Sequence, residues 1–324
     1  MARQRVISIA HSFWVNMKLR LLKSTGRMLT LLLLILIFSV FTRHFFTLSN
    51  LVNILRQVST NAIIAFGLTF ILLTGGIDLS IGAIVAVSGC LSAGLLQRGC
   101  PTIFAVVLSV LSGCIFGLVN GWIITSTGIP AFLVTLATMT VGYGIASVYT
   151  SGKSIMIHDE AFLKIGNGSL GPISYLIIYL LVFLLLSELI FHETSFGHQV
   201  RAIGDNRESA NFMGLGVKRI ERFVYAYSGA LDGVVGIILA SRLYSGQPLI
   251  GDGAELDGVA AVVIGGTSLK GGIGSIGGTL IGALIIGTLN NGLNLLQVQS
   301  YWQQILKGSF LIIAACFDTL HQRK

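Results

Sequence analysis

Runs of uncharged, apolar residues long enough to cross a bilayer recur along the whole of this 324-residue chain, and they leave few folds open to it. A helix needs about 20 such residues to span the hydrocarbon core. The plainest runs include Thr30–Val40 (TLLLLILIFSV) and Ile173–Ser187 (ISYLIIYLLVFLLLS). Only 10% of the residues are charged, against roughly 25% in a soluble domain, so a water-soluble core does not explain the pattern. The sequence predicts an all-α, polytopic membrane protein of about ten transmembrane helices. They fall at about 28–46, 58–75, 80–97, 102–124, 130–150, 173–191, 223–243, 256–268, 275–296 and 302–318. An even number puts both termini on one side. Residues 1–27 then form a basic N-terminal segment, 28–318 the membrane domain and 319–324 a short tail. No small-residue cleavage site follows the first apolar run, which is expected to be an uncleaved anchor.

Lys and Arg set the orientation, because cytoplasmic loops carry the excess of them. With the N-terminus inside, residues 3, 5, 18, 20, 23, 27, 201, 207, 218, 219, 222, 270, 323 and 324 are cytoplasmic, and only 43, 56, 98, 153, 164 and 242 lie outside. Both termini are therefore expected in the cytoplasm. The formal net charge of +8 has the same origin and does not point to nucleic acid. Four cysteines, at 90, 100, 114 and 316, form no metal-ligand spacing.

Two nucleotide motifs fail on inspection. Gly272-x-Gly274-x-x-Gly277 lacks the preceding strand and the following acid of a dinucleotide fingerprint. Gly152-Lys153-Ser154 has Ser147 where a phosphate loop needs its first glycine. With no Ser-His-Asp, Cys-His or paired-carboxylate arrangement, the chain is expected to be no enzyme and to carry neither cofactor nor metal.

Two stretches share a register. Ile71–Gly82 reads ILLTGGIDLSIG and Ala261–Gly272 reads AVVIGGTSLKGG. Both run from outside to inside, so the repeat is parallel, and glycine-interrupted repeats are a common build for transporters. Glycines four apart, at 113, 117 and 121 and again at 274, 278 and 282, predict close helix packing.

Polar groups inside spans are candidates for a pathway or gate: Asn61, Asp78, Asp232, Asp257, Asn290, Asn291 and Asn294. Asp78 sits at the glycine break, where a carboxylate can cap the next helix or serve a gate. Asp232 lies mid-span about one turn in depth from Lys307, which leaves an ion pair and a water-filled pathway both open. The asparagines either join helices or offer hydrogen bonds to a polar solute.

The loop 192–222 is the one long charged insertion on the inner side. A short helix is predicted at about Asn206–Met213, between Gly204 and Gly214. Ala210, Phe212 and Met213 give it an apolar patch that suits docking to a partner.

At this point the chain resembles a known family. The stretches FFTLSNLVNILRQVSTNAI (45–63), LTGGIDLSIGA (73–83), TSFGHQVRAIGDNRESANFMGLGV (194–217), ELDGVAAVVIGGTSLKGG (255–272) and LNNGLNLLQVQSYWQQILKG (289–308) are similar to the permease subunits of bacterial ATP-binding-cassette (ABC) importers for monosaccharides of the ribose/galactose/xylose type, and most to its ribose branch. The resemblance implies an inner-membrane permease for ribose or a related sugar. The partners it implies are a second permease copy, a cytoplasmic ATP-binding subunit and a periplasmic sugar-binding protein. It also implies that Arg201–Val217 is the element that meets the ATPase, with Arg201, Gly204, Asp205, Asn206, Ser209, Ala210, Phe212, Met213 and Gly214 as its residues. Two positions depart from the family pattern: Gly204-Asp205-Asn206 stands where a glycine pair is usual, and Asp232 replaces a small apolar residue. The competing reading is an ion-coupled secondary transporter in which Asp78 and Asp232 titrate.

Overall fold

A computed structural model describes residues 26–309 and 312. The first described helix, α1, is Gly26–Phe41. It is followed by α2 (Leu48–Leu73), α3 (Ile81–Gln97), α4 (Thr102–Thr127), α5 (Ala131–Thr150), α7 (Tyr175–Glu193), α8 (Ser195–Asp205), α9 (Arg207–Phe212), α10 (Val217–Arg242), α11 (Ala254–Ile264) and α12 (Ile276–Leu295), and by α13 over 300–309. A short helix α6 (Glu160–Asn167) lies between α5 and α7. Sheet is confined to two-residue pairs: β1 (Ile155–Met156) with β4 (Ser245–Gly246), and β2 (Ser169–Leu170) with β3 (Ile173–Ser174), both antiparallel.

The first nine predicted spans fall on helices, and the tenth, 302–318, begins on α13 and then runs outside the described residues. Six of the described helices (α2, α4, α5, α7, α10 and α12) are long and apolar enough to cross a membrane. They divide by burial. The apolar windows of α2, α10 and α12 are 72–78% buried within the chain, those of α4, α5 and α7 only 22%. The first three therefore form the centre of the bundle. The other three present apolar side chains outward, which in water is costly and in lipid is not.

The predicted span at 256–268 needs correction. Its helix, α11, has eleven residues and at 1.5 Å per residue is about 16 Å long, half of the ~30 Å hydrocarbon core. The chain before it runs back along α3. The Gly246 Cα rests on Gly89, Cys90 and Ala93, whereas Gly251 rests on Gly82. So α11 begins beside the start of α3.

The glycine rows act as predicted. A Cβ at Gly113 would strike the Gly229 carbonyl, and one at Gly117 the Tyr225 carbonyl; at Gly121 it would meet the Arg222 Cα at 2.9 Å. Thus α4 lies backbone to backbone against α10. In the second row, Gly278 touches the Gly265 carbonyl and Gly282 the Ala261 carbonyl, which brings α12 against α11 in the same way.

Candidate functional site at the two helix breaks

The repeated stretches form matching interruptions. After α2, Gly75 takes a left-handed conformation (φ 79°) and the Gly76 N–H returns to the Ile71 carbonyl at 3.1 Å. After α11, Gly266 does the same (φ 85°), with the Thr267 N–H on the Val262 carbonyl at 3.1 Å. Glycine meets this requirement without a Cβ penalty. The turns beyond also correspond: Asp78 Oδ1 accepts the Ser80 N–H at 2.7 Å, and Ser268 Oγ accepts the Lys270 N–H at 3.1 Å. The left-handed glycine is the first of its pair in one copy and the second in the other, a one-residue slip the sequence alignment does not display.

Asp78 is accordingly no helix cap. Ser80 occupies the N-cap of α3, and Asp78 fixes it by accepting both its N–H and its hydroxyl (2.6 Å). Asn120 of α4 donates to the same hydroxyl at 2.8 Å. Tyr225 of α10 brings its hydroxyl against Gly76. Asp78 Oδ2, Asn120 Oδ1 and the Tyr225 hydroxyl are buried without a hydrogen-bond partner among the described residues. A cavity of about 470 Å³ opens beside them, lined by Gly75, Gly76, Thr125, Lys218, Glu221 and Tyr225 among others. Glu221 in its wall is held by Arg207 of α9 at 2.8 Å. Sequence reasoning missed Asn120, Tyr225 and Glu221; an uncharged amide inside a predicted apolar span, near its end, is the signal that could have found the first.

Asp232 is not paired with Lys307. Both its oxygens are buried without a hydrogen-bond partner among the described residues, whereas Lys307 Nζ lies 2.9 Å from Asp257 Oδ1 of α11. Asn290 of α12 donates to Asp257 Oδ2 at 3.4 Å, so this cluster ties α11, α12 and α13 together. Asn291 and Asn50 exchange amide hydrogen bonds at 2.9 and 3.0 Å and join α12 to α2. Asn294 is exposed and accepts from Gln303 at 2.8 Å; Asn61 is half-buried on α2. Asn290, Asn291 and Asn294 are thus helix ties, and of the predicted polar residues Asp78 is the one in the cluster beside the cavity. The Asp257–Lys307 pair is partly exposed, so removing one charge should cost about 1–3 kcal/mol, between the surface and buried limits. Thermal melts should show Lys307→Met and Asp257→Asn each destabilised and the double variant recovering part of the loss. Strict additivity would mean the pair contributes no coupling.

The charged loop 192–222 folds around α8 and α9. Asn206 caps α9 by accepting the Ser209 N–H at 2.8 Å, and Gly214 (φ 83°) ends it in the left-handed conformation expected of it. Arg201 donates to the Phe191 carbonyl at 3.2 Å and covers that ring at 4.6 Å, fastening α8 to α7. One expectation fails. Ala210 is fully buried in the chain's own core, while Phe212 (84%) and Met213 (70%) are exposed, so the apolar patch consists of the last two alone.

Residues 50–315 match the family described as branched-chain amino acid transport system / permease component. A ribose import permease protein of Bacillus subtilis (strain 168) is 44% identical, covering 92% of this chain and 93% of the relative. That of Escherichia coli (strain K12) is 41% identical over 91% and 93%. A D-allose transport system permease protein of the same organism is 36% identical over 91% of each. No solved structure matches.

Proposed function

We propose, for a chain that belongs to the branched-chain amino acid transport permease-component family, that it is the membrane subunit of an ABC importer and passes a monosaccharide, ribose or a close relative of it. The observation that carries this reading is likeness to ribose import permeases over more than nine-tenths of both chains. The chain is no enzyme; ATP is hydrolysed on a separate subunit. It is a multi-pass inner-membrane protein. Its helices enclose and gate a passage, the ATP-binding subunit drives the change of state, and a periplasmic binding protein delivers the sugar.

Ten segments, 28–318, form the membrane domain, with residues 1–27 and the tail 319–324 in the cytoplasm. Two permease copies assemble. Arg201–Val217 is the element that meets the ATP-binding subunit, which is supported by the exposed Phe212 and Met213 on a short, capped helix. Asp78, with the Ser80–Asn120–Tyr225 cluster around it, belongs to the gate at the inner end of the passage.

The test is energetic. In cells expressing the whole system, uptake of radiolabelled ribose should cease on ATP depletion and persist when a protonophore is added with ATP held constant. Uptake that survives ATP depletion and stops with the protonophore would instead establish ion coupling through Asp78 and Asp232.

A further inference from the structure

We propose that Gly204, at the end of α8, is the fulcrum through which the cytoplasmic loop acts on both helix breaks at once. This rests on reading that loop as the coupling element and names the contact that transmits the movement.

Three backbones meet at this point. The Gly272 N–H donates to the Leu73 carbonyl at 3.0 Å, which joins the second break to the end of α2. Gly204 fills the remaining side. A Cβ there would collide with both the Leu73 carbonyl and the Gly272 amide nitrogen. Gly271, left-handed at φ 92°, faces the Gly75 amide nitrogen and the Gly204 Cα. The Asp205 side chain lies across the bare Cα of Gly272 (φ 75°). At Gly204 itself no side chain separates the three backbones, so a displacement of α8 there cannot be absorbed by rotamer changes and passes to both breaks.

The lever is stiff on its other side. Val200 and Ile203 are buried, and Arg201 is clamped on Phe191. The Phe70 ring near the end of α2 packs edge-on against Phe191 and is stacked with Phe196. Asn206 ends α8 and caps α9, so a load on α9 enters α8 one residue from the junction. Beyond the junction, Asp78 and Ser268 occupy the same register of the repeat, and each fixes the backbone two residues on. The two breaks therefore receive the same movement on matching turns. Interfaces of this kind are bistable rather than continuously deformable.

The experiment uses the permease assembled with its ATP-binding subunit in nanodiscs. Gly204→Ala should copurify with that subunit, because α9 is untouched. Its ratio of hydrolysis with sugar-loaded binding protein to hydrolysis without it should fall to near one, and uptake in cells should fall at least tenfold. Wild-type stimulation and uptake at normal abundance would overturn the proposal. A second measurement needs no substitution. In the wild-type complex, amide exchange across 72–76 and 266–272 should change together when a non-hydrolysable ATP analogue is added. A change at one break without the other, or at neither, would also overturn it. If Phe212→Asp leaves the ATP-binding subunit attached and uptake normal, the coupling reading of the loop itself fails. If Phe212→Asp releases the subunit while Gly204→Ala is silent, only the fulcrum fails.

Discussion

Gly117→Leu should all but abolish the folded protein, whereas Gly144→Leu should accumulate and melt like the wild type. The difference lies in what each side chain would meet. A Cβ at Gly117 strikes the Tyr225 carbonyl oxygen and comes within 2.9 Å of the carbonyl carbon. Tyr225 belongs to α10, whose apolar window is 72% buried in the bundle, so neither helix can retreat without opening the core. Overpacking a well-filled interior costs about 1–3 kcal/mol where side chains can shift; here the obstacle is backbone, and the cost should reach or pass the upper end. Against a total stability of about 5–15 kcal/mol, with Gly113 and Gly229 interlocked one turn away, that is enough to lower abundance by tenfold. Gly144, on α5, is exposed with nothing within 4 Å of its Cβ position. Fluorescence-detected size exclusion of tagged variants reads the result. Equal peaks for the two variants would mean that the row of small residues on α4 is incidental.

That row was legible in the sequence because spacing along a helix fixes which residues share a face. The repeated stretches were legible for a similar reason: glycine pairs after apolar runs announce helix ends, and both ends proved to lie at one junction. What sequence could not supply is lateral position. Asp232 and Lys307 fall at comparable depth along the chain map, yet depth does not say which helix a side chain faces. Lys307 turns to Asp257 of α11, and among the described residues Asp232 meets no cation. Nor does a hydropathy run reveal that α11 is a half-length helix reached by a chain that doubles back along α3. The outer helix α6 escaped as well. It is held by Ser241, which accepts the Gly166 N–H at 2.8 Å and donates to the Phe162 carbonyl at 2.9 Å, ties between residues some 75–80 positions apart. Asp78 shows the limit at the scale of one turn: the residue type and the break were both visible, but the cap fell to Ser80 and the carboxylate to holding it.

Phe212→Asp should leave the permease intact and remove its ATP-binding subunit; Ala210→Glu should destroy the permease itself. Two residues apart on one short helix, they lie on opposite sides of it. Ala210 has no exposed surface and belongs to the same buried core as Val217, Ile220 and Val224. A glutamate there would carry a carboxylate into the core, a cost that ordinary stability does not cover. Phe212 is 84% exposed at the end of α9, among Arg207, Glu208, Lys218 and Arg219. Such a density of charge disfavours lipid, and on the proposed reading of this loop the exposed ring and the neighbouring Met213 meet the ATP-binding subunit. An aspartate at 212 disturbs no internal contact. Its effect falls on docking, where loss of a buried aromatic anchor commonly costs 2 kcal/mol or more, about thirtyfold in affinity. Affinity purification of Phe212→Asp should therefore yield permease of wild-type abundance and melting temperature without its partner, and sugar uptake should drop at least tenfold. Gly214→Val tests the same helix more gently: its φ of 83° strains a β-branched residue by about 1 kcal/mol or more, with open space around the new side chain. Uptake reduced a few-fold at normal abundance is the expected outcome. Should Phe212→Asp retain both the ATP-binding subunit and full uptake, α9 is a solvated connector, and the surface that receives the ATPase must be found elsewhere on the inner face.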